Sequence, residues 1–320
     1  MSQNAEVIVI GQAVVDCILK GWDTTPKYGS VYMADSVSII PGGDAVNESI
    51  TFAKLGHSVK IHCGLGEDLP GEIVRARLER NGVDLSEIVS SNTGKTPVTN
   101  LIVDNRGERR SVSTPAHLVP FFEPDPSILA GAKVVTMASL FRAPFDRPEK
   151  ILRIAKGAKE AGAILIADFK IANCEQIYLD DVKEALPYID YAFPNETEAA
   201  FYTGDTDYVK MADKLLSYGV KNVIIKIGSQ GCVVKNAKEC FVVPAYDVPV
   251  ADGIGAGDNF LAGFVSSLIH GTEMHEALEF GTACAALCVQ SAGATTGVSS
   301  REQVLAFLEK KAPRKEPYPL

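Results

Sequence analysis

Asp252, Gly253, Ile254, Gly255, Ala256, Gly257 and Asp258 concentrate chemistry-bearing residues in one short stretch. Three glycines in five positions let the backbone turn its N–H groups toward one point. An apolar helix face follows at once, from Phe260, Leu261, Phe264, Val265 and Leu268. A glycine turn at a helix N-terminus is a ready anion site. Asp258 stands where that helix begins. The helix dipole favours its ionised form, the form a general base needs. Taken alone, an N-cap is the commoner role for an Asp at such a place. No Lys-Ser or Lys-Thr closes the loop, and Asp258 occupies the third glycine position of GxGxxG. Both common nucleotide fingerprints therefore fail.

Four further constellations carry chemistry, each with a plainer structural explanation beside it. Gly42 and Gly43 lead into a helix with Asn47 in its first turn. The glycines would let a polyol approach the backbone while Asn47 bonds its hydroxyls; a turn with a capping residue is the alternative. Asp16 lies just past the first strand, where ligands bind in open α/β sheets. A carboxylate there can accept two vicinal hydroxyls. Asn195 and Glu198 lie one helical turn apart after a strand, so both can face a hydrated Mg²⁺. An N-capped helix with acidic residues in its first turn explains them equally. Lys226, Gly228, Ser229 and Gly231 form a strand running into a glycine turn, which alone is only a hairpin.

The elements that must position these residues alternate between short β-branched runs and amphipathic segments. Strands are predicted at 6–11, 59–63, 133–137, 163–167, 188–193 and 222–227. Helices are predicted at 45–55, 70–81, 147–161, 206–218, 259–270, 274–290 and 300–311. This rhythm argues for a mostly parallel sheet covered on both faces. Residues 14–40 contain no good helix, and 96–114 read as a hairpin turning at 104–107. Two such insertions imply a small β lid. The chain then divides into an α/β core (1–13, 41–95 and 115–312), a lid (14–40 and 96–114) and a loose tail (313–320).

Composition narrows the function. The 320 residues suffice for a full core, with 46% hydrophobic and 22% charged residues. A formal net charge of −9 leaves no basic excess for nucleic acid or an acidic membrane surface. The seven cysteines are odd in number and lack CxxC, which argues for reduced thiols rather than a disulfide framework or structural zinc. The five histidines show no ligand spacing. The N-terminus has no basic n-region, and the uncharged stretch 280–300 is interrupted by a Thr-Thr-Gly turn. A cytoplasmic protein without membrane spans is expected.

In combination and order, these motifs resemble the ribokinase, or PfkB, family of carbohydrate kinases, from about residue 7 to 307. The matching residues are Gly42-Gly43 through Asn47, Leu55-Gly56, Gly64 through Asp68 with Gly71, and Asp252 through Asp258 on to Ala262-Gly263. Within the family, Gly42–Glu48 and Gly293–Val298 are similar to the YdjH-type bacterial sugar kinases. The resemblance implies a ribokinase-like α/β fold: a doubly wound, mostly parallel sheet flanked by helices, with a small β-sheet lid. It implies ATP-dependent phosphorylation of a hydroxymethyl group of a sugar or sugar acid. Asp258 would be the general base, and Gly255, Ala256 and Gly257 the anion hole. Asp16, Gly42, Gly43 and Asn47 would hold the sugar, and Lys226, Gly228, Ser229, Gly231 and Thr282 the nucleotide. Asn195 and Glu198 would order Mg²⁺ through water. Asp252, Ile254 and Gly293 would help bind a monovalent cation, K⁺. A homodimer through the lids is also implied.

Several residues depart from the family pattern. Gly253 replaces Thr or Ser, Asp44-Ala45 replaces a Lys-Gly or Arg-Ala type of pair, and Thr282 falls near a position often occupied by Asn. Ser139 lies near where ribokinases place a substrate-binding Glu, which argues against ribose itself. Arg142 follows the strand ending at Met137, within reach of the sugar pocket, where it would meet an acidic sugar; a surface arginine is the plainer reading. A nucleoside or vitamin kinase of the same fold is one alternative, and a non-catalytic sugar-sensing protein another. A nicotinamide-dependent enzyme is disfavoured by the missing GxGxxG.

Overall fold

The computed structural model describes residues 5–23, 25, 28–104, 108–114, 122–173, 175–310 and 313–320. The chain opens with β1 (Val7–Ile10), then passes through β2 (Val14–Trp22) and β3 (Ser36–Gly42) before α1 (Asp44–Lys54) and β4 (Val59–His62). β5 (Gly64–Gly66) and β6 (Val89–Ser91) pair with each other and flank α2 (Leu69–Arg80). β7 (Val98–Asp104) and β8 (Arg109–Ser113) follow. Then come β9 (Val134–Leu140), α3 (Pro148–Glu160), β10 (Ile164–Phe169), β11 (Tyr191–Ala192), α4 (Glu196–Thr203) and α5 (Tyr208–Ser217). β12 (Asn222–Lys226), β13 (Cys232–Asn236) and β14 (Cys240–Val243) precede α6 (Ala256–Ile269), α7 (Met274–Val289) and α8 (Arg301–Glu309).

Eight strands form the main sheet in the order β14-β13-β12-β11-β10-β9-β1-β4, parallel from β4 to β12 and antiparallel beyond. Alternate strand residues feed two cores, as the period of 2 requires. Ile8, Ile10, Val135 and Met137 pack with Ile151 and Ile154 of α3 and Leu215 of α5. Val7, Val9 and Val134 pack with Val46 and Ile50 of α1 and Leu261 and Phe264 of α6. Covering on both faces explains why all seven residues of β9 are buried. From β1 the chain runs to β4 on one side and later to β9 on the other, so strand order reverses beside β1. Ligand crevices form at such a point, beyond the carboxyl ends of the strands.

The lid is a separate four-stranded sheet in the order β3-β2-β7-β8. The expected hairpin is present as β7 paired antiparallel with β8, while 105–107 of its turn lie outside the described residues. Residues 14–40, assigned to the lid from the sequence without strand bounds, supply the other two strands, and β3 runs on to Gly42.

Three local boundaries moved for physical reasons. The helix expected from 259 starts at Ala256, because Gly255 at φ +79° turns the chain directly into it. The strand expected from 188 is only Tyr191–Ala192, because Pro187 directs Leu186–Tyr188 into a 3₁₀ turn. The tail expected to be loose is tied down. Arg314 Nη1 donates to Pro244 O at 2.6 Å, its guanidinium lies 3.8 Å over the Tyr246 ring, and Lys315 N–H donates to Ala245 O at 2.9 Å. Among the described residues, no helix is long and apolar enough to cross a membrane. The six described cysteines are free; Cys174 lies outside the described residues.

Candidate active site

The glycine loop is locked from both sides. A Cβ on Gly255 would lie 2.4 Å from the Ala294 Cβ, so only glycine fits there. Asn259 Nδ2 donates to Gly255 O at 2.8 Å and to Ala294 O at 2.7 Å. Asp252 accepts from Ile254 N–H at 3.1 Å and from Gly293 N–H at 3.3 Å, tying the 252–258 loop to the 293–294 turn. With α6 starting at Ala256, the N–H groups of Ala256, Gly257 and Asp258 belong to its first turn, where no intrahelical acceptor exists.

Asp258 is buried at that turn, and Asn47 Nδ2 donates to its Oδ2 at 2.7 Å. The two helices that carry these residues are joined a second time, with Thr51 Oγ1 3.2 Å from Asn259 Oδ1. Burial pushes the Asp258 carboxyl up to about 7, helped by the Asp44 and Asp168 carboxylates and opposed by Lys170 and the Asn47 bond. The sequence expectation that the helix dipole keeps Asp258 readily ionised is therefore corrected. Desolvation and neighbouring negative charge outweigh a dipole worth typically 0.3–1 kcal/mol.

Those neighbours form a charge cluster that sequence reasoning missed. Carboxylate oxygens of Asp44, Asp168 and Asp258 lie within 4.8 Å of one another. Lys170 Nζ sits among the acids, 3.2 Å from Asp168 Oδ2, 3.5 Å from Asp44 Oδ1 and 3.9 Å from Glu198 Oε1. Lys226 Nζ pairs with Asp168 Oδ1, and Ser139 Oγ donates to Asp44 Oδ2 at 2.8 Å. Burial works against the Lys170 ammonium, yet Asp168, Asp44, Asp258 and Glu198 hold its pKa well above the lysine range. Glu48 on α1 is fully buried, and among the described residues neither carboxyl oxygen has a hydrogen-bond partner. Burial, then Asp168 and Asp258, pushes its pKa well above the usual carboxylate range. A signal was available: Asp168 and Lys170 share one side of an extended segment at the end of an apolar strand.

A cleft of about 870 Å³ opens over this cluster, and Asp16, Gly43, Asn47 and Asp258 line it. Lid residues Val14, Thr99 and Ser113 form one wall. Gly43 has φ +93°, and a Cβ there would meet Gln12 O at 2.6 Å. A Cβ on Gly42 would meet Asp16 Oδ2 at 2.5 Å. Burial, with Asp44 adding to it, pushes Asp16 up to about 6. A second, more apolar cavity of about 410 Å³ is lined by Gly228, Ser229, Gly231, Tyr246, Thr282 and Ala286. The two meet at Lys226, Gly228, Gly253, Ala256 and Gly257. Thr282 Oγ1 donates to Leu278 O at 2.7 Å, so its hydroxyl proton is committed to the helix.

Asn195 and Glu198 are each other's caps. Asn195 Oδ1 accepts from Glu198 N–H at 2.9 Å, and Glu198 Oε2 accepts from Asn195 N–H at 2.7 Å. The capping role read from the sequence is realised, and it leaves Glu198 Oε1 clear of backbone donors. Burial raises the Glu198 pKa, with Lys226 opposing. Glu198 Oε1 is the carboxylate oxygen this capping leaves for a hydrated divalent cation, while both Asp168 oxygens are taken up by Lys170 and Lys226. The N–H groups of Ile254 and Gly293 both donate to Asp252, and Lys20 Nζ from β2 also reaches Asp252 Oδ2 at 3.7 Å.

Comparison with known proteins agrees with this fold. A family model described as pfkB family carbohydrate kinase matches residues 4–301. The ATP-dependent ribose-1-phosphate kinase of Halopiger xanaduensis is 30% identical over 299 residues, covering 91% of this chain and 96% of that protein. The solved structure of Arabidopsis thaliana ribokinase complexed with ribose and ATP superposes with TM-score 0.82 at 26% identity, over 96% of this chain and 99% of that one. Thermotoga maritima ribokinase gives TM-score 0.77 at 28% identity, over 95% and 99%.

Proposed function

Because this chain belongs to the pfkB family of carbohydrate kinases, we propose how its own residues carry out ATP-dependent phosphorylation of a sugar, at a hydroxymethyl group of a sugar or sugar acid. Asp258 takes the proton of the acceptor hydroxyl as that oxygen bonds to the γ-phosphorus. The bond from that phosphorus to the β,γ-bridging oxygen breaks, and ADP leaves. A base with a pKa of about 7 suits this task near neutral pH. Asn47 holds the carboxylate by one oxygen, which leaves the other to receive the proton.

The N–H groups of Gly255, Ala256 and Gly257 stabilise the charge on the transferring phosphoryl group, which needs positioning and electrostatics more than covalent chemistry. Asp16 accepts sugar hydroxyls, while Gly42 and Gly43 keep the approach to the backbone open. Lys226 reaches the phosphates where the two cavities meet, and Gly228, Ser229, Gly231 and Thr282 border the base of the nucleotide. Asn195 and Glu198 would hold hydrated Mg²⁺, which when bound neutralises phosphate charge. Asp252, Ile254 and Gly293 would hold K⁺ beneath the anion loop, competing there with the Lys20 ammonium.

The observation that carries this reading is the place of Asp258: buried, held by Asn47, on the first turn of α6 where a polar cleft joins an apolar cavity. Free thiols fit a reducing, cytoplasmic setting. The test is ATP consumption over neutral sugars, sugar acids and nucleosides, with Mg²⁺ and with or without K⁺. At least one sugar should drive turnover, and Asp258→Asn should lower it by about 10²–10⁴-fold. Retention of more than a tenth of the rate would remove Asp258 as the base. Turnover confined to nucleosides would move the acceptor class.

A further inference from the structure

We propose that Arg142 is a specificity residue that binds an anionic group, carboxylate or phosphate, on the acceptor sugar. This rests on the kinase reading above and names its substrate class more closely.

Arg142 is part of the cleft wall, beside Ala143 and Asn173, and not a surface arginine. Its neighbour Phe141 has φ +76° and is fully buried, with ring centroids 5.3 Å from Phe169 and 4.4 Å from Tyr202. A bulky residue rarely takes that conformation, and such strain persists only where the surroundings over-determine it. Here aromatic packing holds the turn. Hydrogen bonds on either side fix it further: Arg142 N–H to Ser139 O at 3.0 Å, and Phe145 N–H to Arg142 O at 2.6 Å. The side chain is anchored as well, because Arg142 Nε donates to Ile171 O at 2.9 Å.

What remains is a fixed guanidinium with both terminal nitrogens unused. Among the described residues Arg142 has no ion pair and no hydrogen bond beyond those named. The other cations of the cleft differ. Lys170 is shared by Asp168, Asp44 and Glu198, and Lys226 is held by Asp168. Asp146, the acid nearest in sequence, pairs with Lys150 at 2.8 Å. A neutral polyol needs acceptors such as Asp16 and gives a half-buried guanidinium no counter-charge. A carboxylate or phosphate does, and it matches the planar fork of N–H donors in two-point fashion.

The experiment measures calorimetric Kd on the full chain for ribose, ribonate, ribose 1-phosphate, glucose, gluconate and 2-ketogluconate, with kcat/KM for each. Wild type should bind at least one anionic sugar tenfold or more tighter than its neutral counterpart. Arg142→Ala and Arg142→Gln should each collapse that ratio by tenfold or more, and Arg142→Lys should keep part of it. A preference for ribose 1-phosphate alone assigns phosphate; a preference for the sugar acids assigns carboxylate. Equal losses on acid and neutral sugars, or no anionic preference in wild type, would overturn the proposal. Circular dichroism of each variant separates misfolding from lost recognition. Turnover of neutral sugars that depends on Asp258, with no acid preference, leaves the kinase reading intact and overturns this one. Arg142-dependent acid binding without ATP turnover does the reverse.

Discussion

Replacing Asp258 by Asn should make this protein more stable at high pH while removing its activity. The Asp258 carboxyl is raised from 3.8 to about 7 in the folded chain, mainly by burial and then by Asp44. The native state therefore holds this proton more tightly than the unfolded chain does. Stability from the group is fully present below about pH 4 and is lost as pH rises through about 7. Within that window wild type loses about 1.36 kcal/mol per pH unit to this group. Asn carries no titrating proton. From pH 5 to pH 8 the stability of Asp258→Asn relative to wild type should rise by about 2–3 kcal/mol. Asp16 and Glu198 also have raised values, but Asp258 is not among their causes, so they drop out of the difference. Glu48 and Lys170 feel the Asp258 charge directly, so their response is part of what the difference reads. Urea unfolding followed by circular dichroism at pH 5, 6, 7 and 8 would measure it. A difference that stays constant with pH would refute the buried-carboxyl account. The same titration should appear in wild-type kcat/KM as a fall below about pH 7, as the base becomes protonated.

Three further outcomes test the site and its assembly. Gly255→Ala should cost about 1–3 kcal/mol and most of the activity, because φ +79° is strained for alanine and the new Cβ meets Ala294. Gly253→Ala, whose Cβ would enter open space, should change melting stability by under about 1 kcal/mol; equal losses in both variants would break the distinction. Asn259→Ala removes the donor shared by Gly255 O and Ala294 O, and should cost about 1–3 kcal/mol and weaken nucleotide binding in calorimetry. We further propose that the lid pairs with that of a second copy, since Val37, Ile39 and Val112 lie 62%, 61% and 62% exposed on its strands. Sedimentation should then give a dimer for wild type and a monomer for the double variant Val37→Asp, Ile39→Asp. A monomeric wild type at working concentration would end the idea.

The parts of this site that were legible in the sequence are those whose geometry is local. Gly255 must be glycine because of its own φ, and Asn47 and Asp258 each sit in the first turn of their helices, so spacing alone flags them. The α/β alternation was equally readable, since buried strands and amphipathic helices differ in period. The bounds of the lid strands at 14–22 and 36–42 were not, because β3 is largely exposed, so its short Ser36-Val37-Ser38-Ile39 alternation marks no buried face. The charge cluster was hidden for another reason. Asp44 begins α1, Asp168 ends β10, Lys170 follows it, Glu198 lies on α4 and Lys226 ends β12. No linear spacing joins them; the parallel sheet does, by bringing the carboxyl ends of its strands to one edge. That convergence also reverses the local electrostatic reading of Asp258. A helix terminus alone would lower its pKa, but the fold places the residue out of water and beside two other carboxylates. Burial first, and the Asp44 and Asp168 carboxylates after it, therefore set the pH range of the base rather than the helix terminus. Lys170 limits the rise, because its ammonium opposes it at Asp258 while pairing with Asp44 and Asp168.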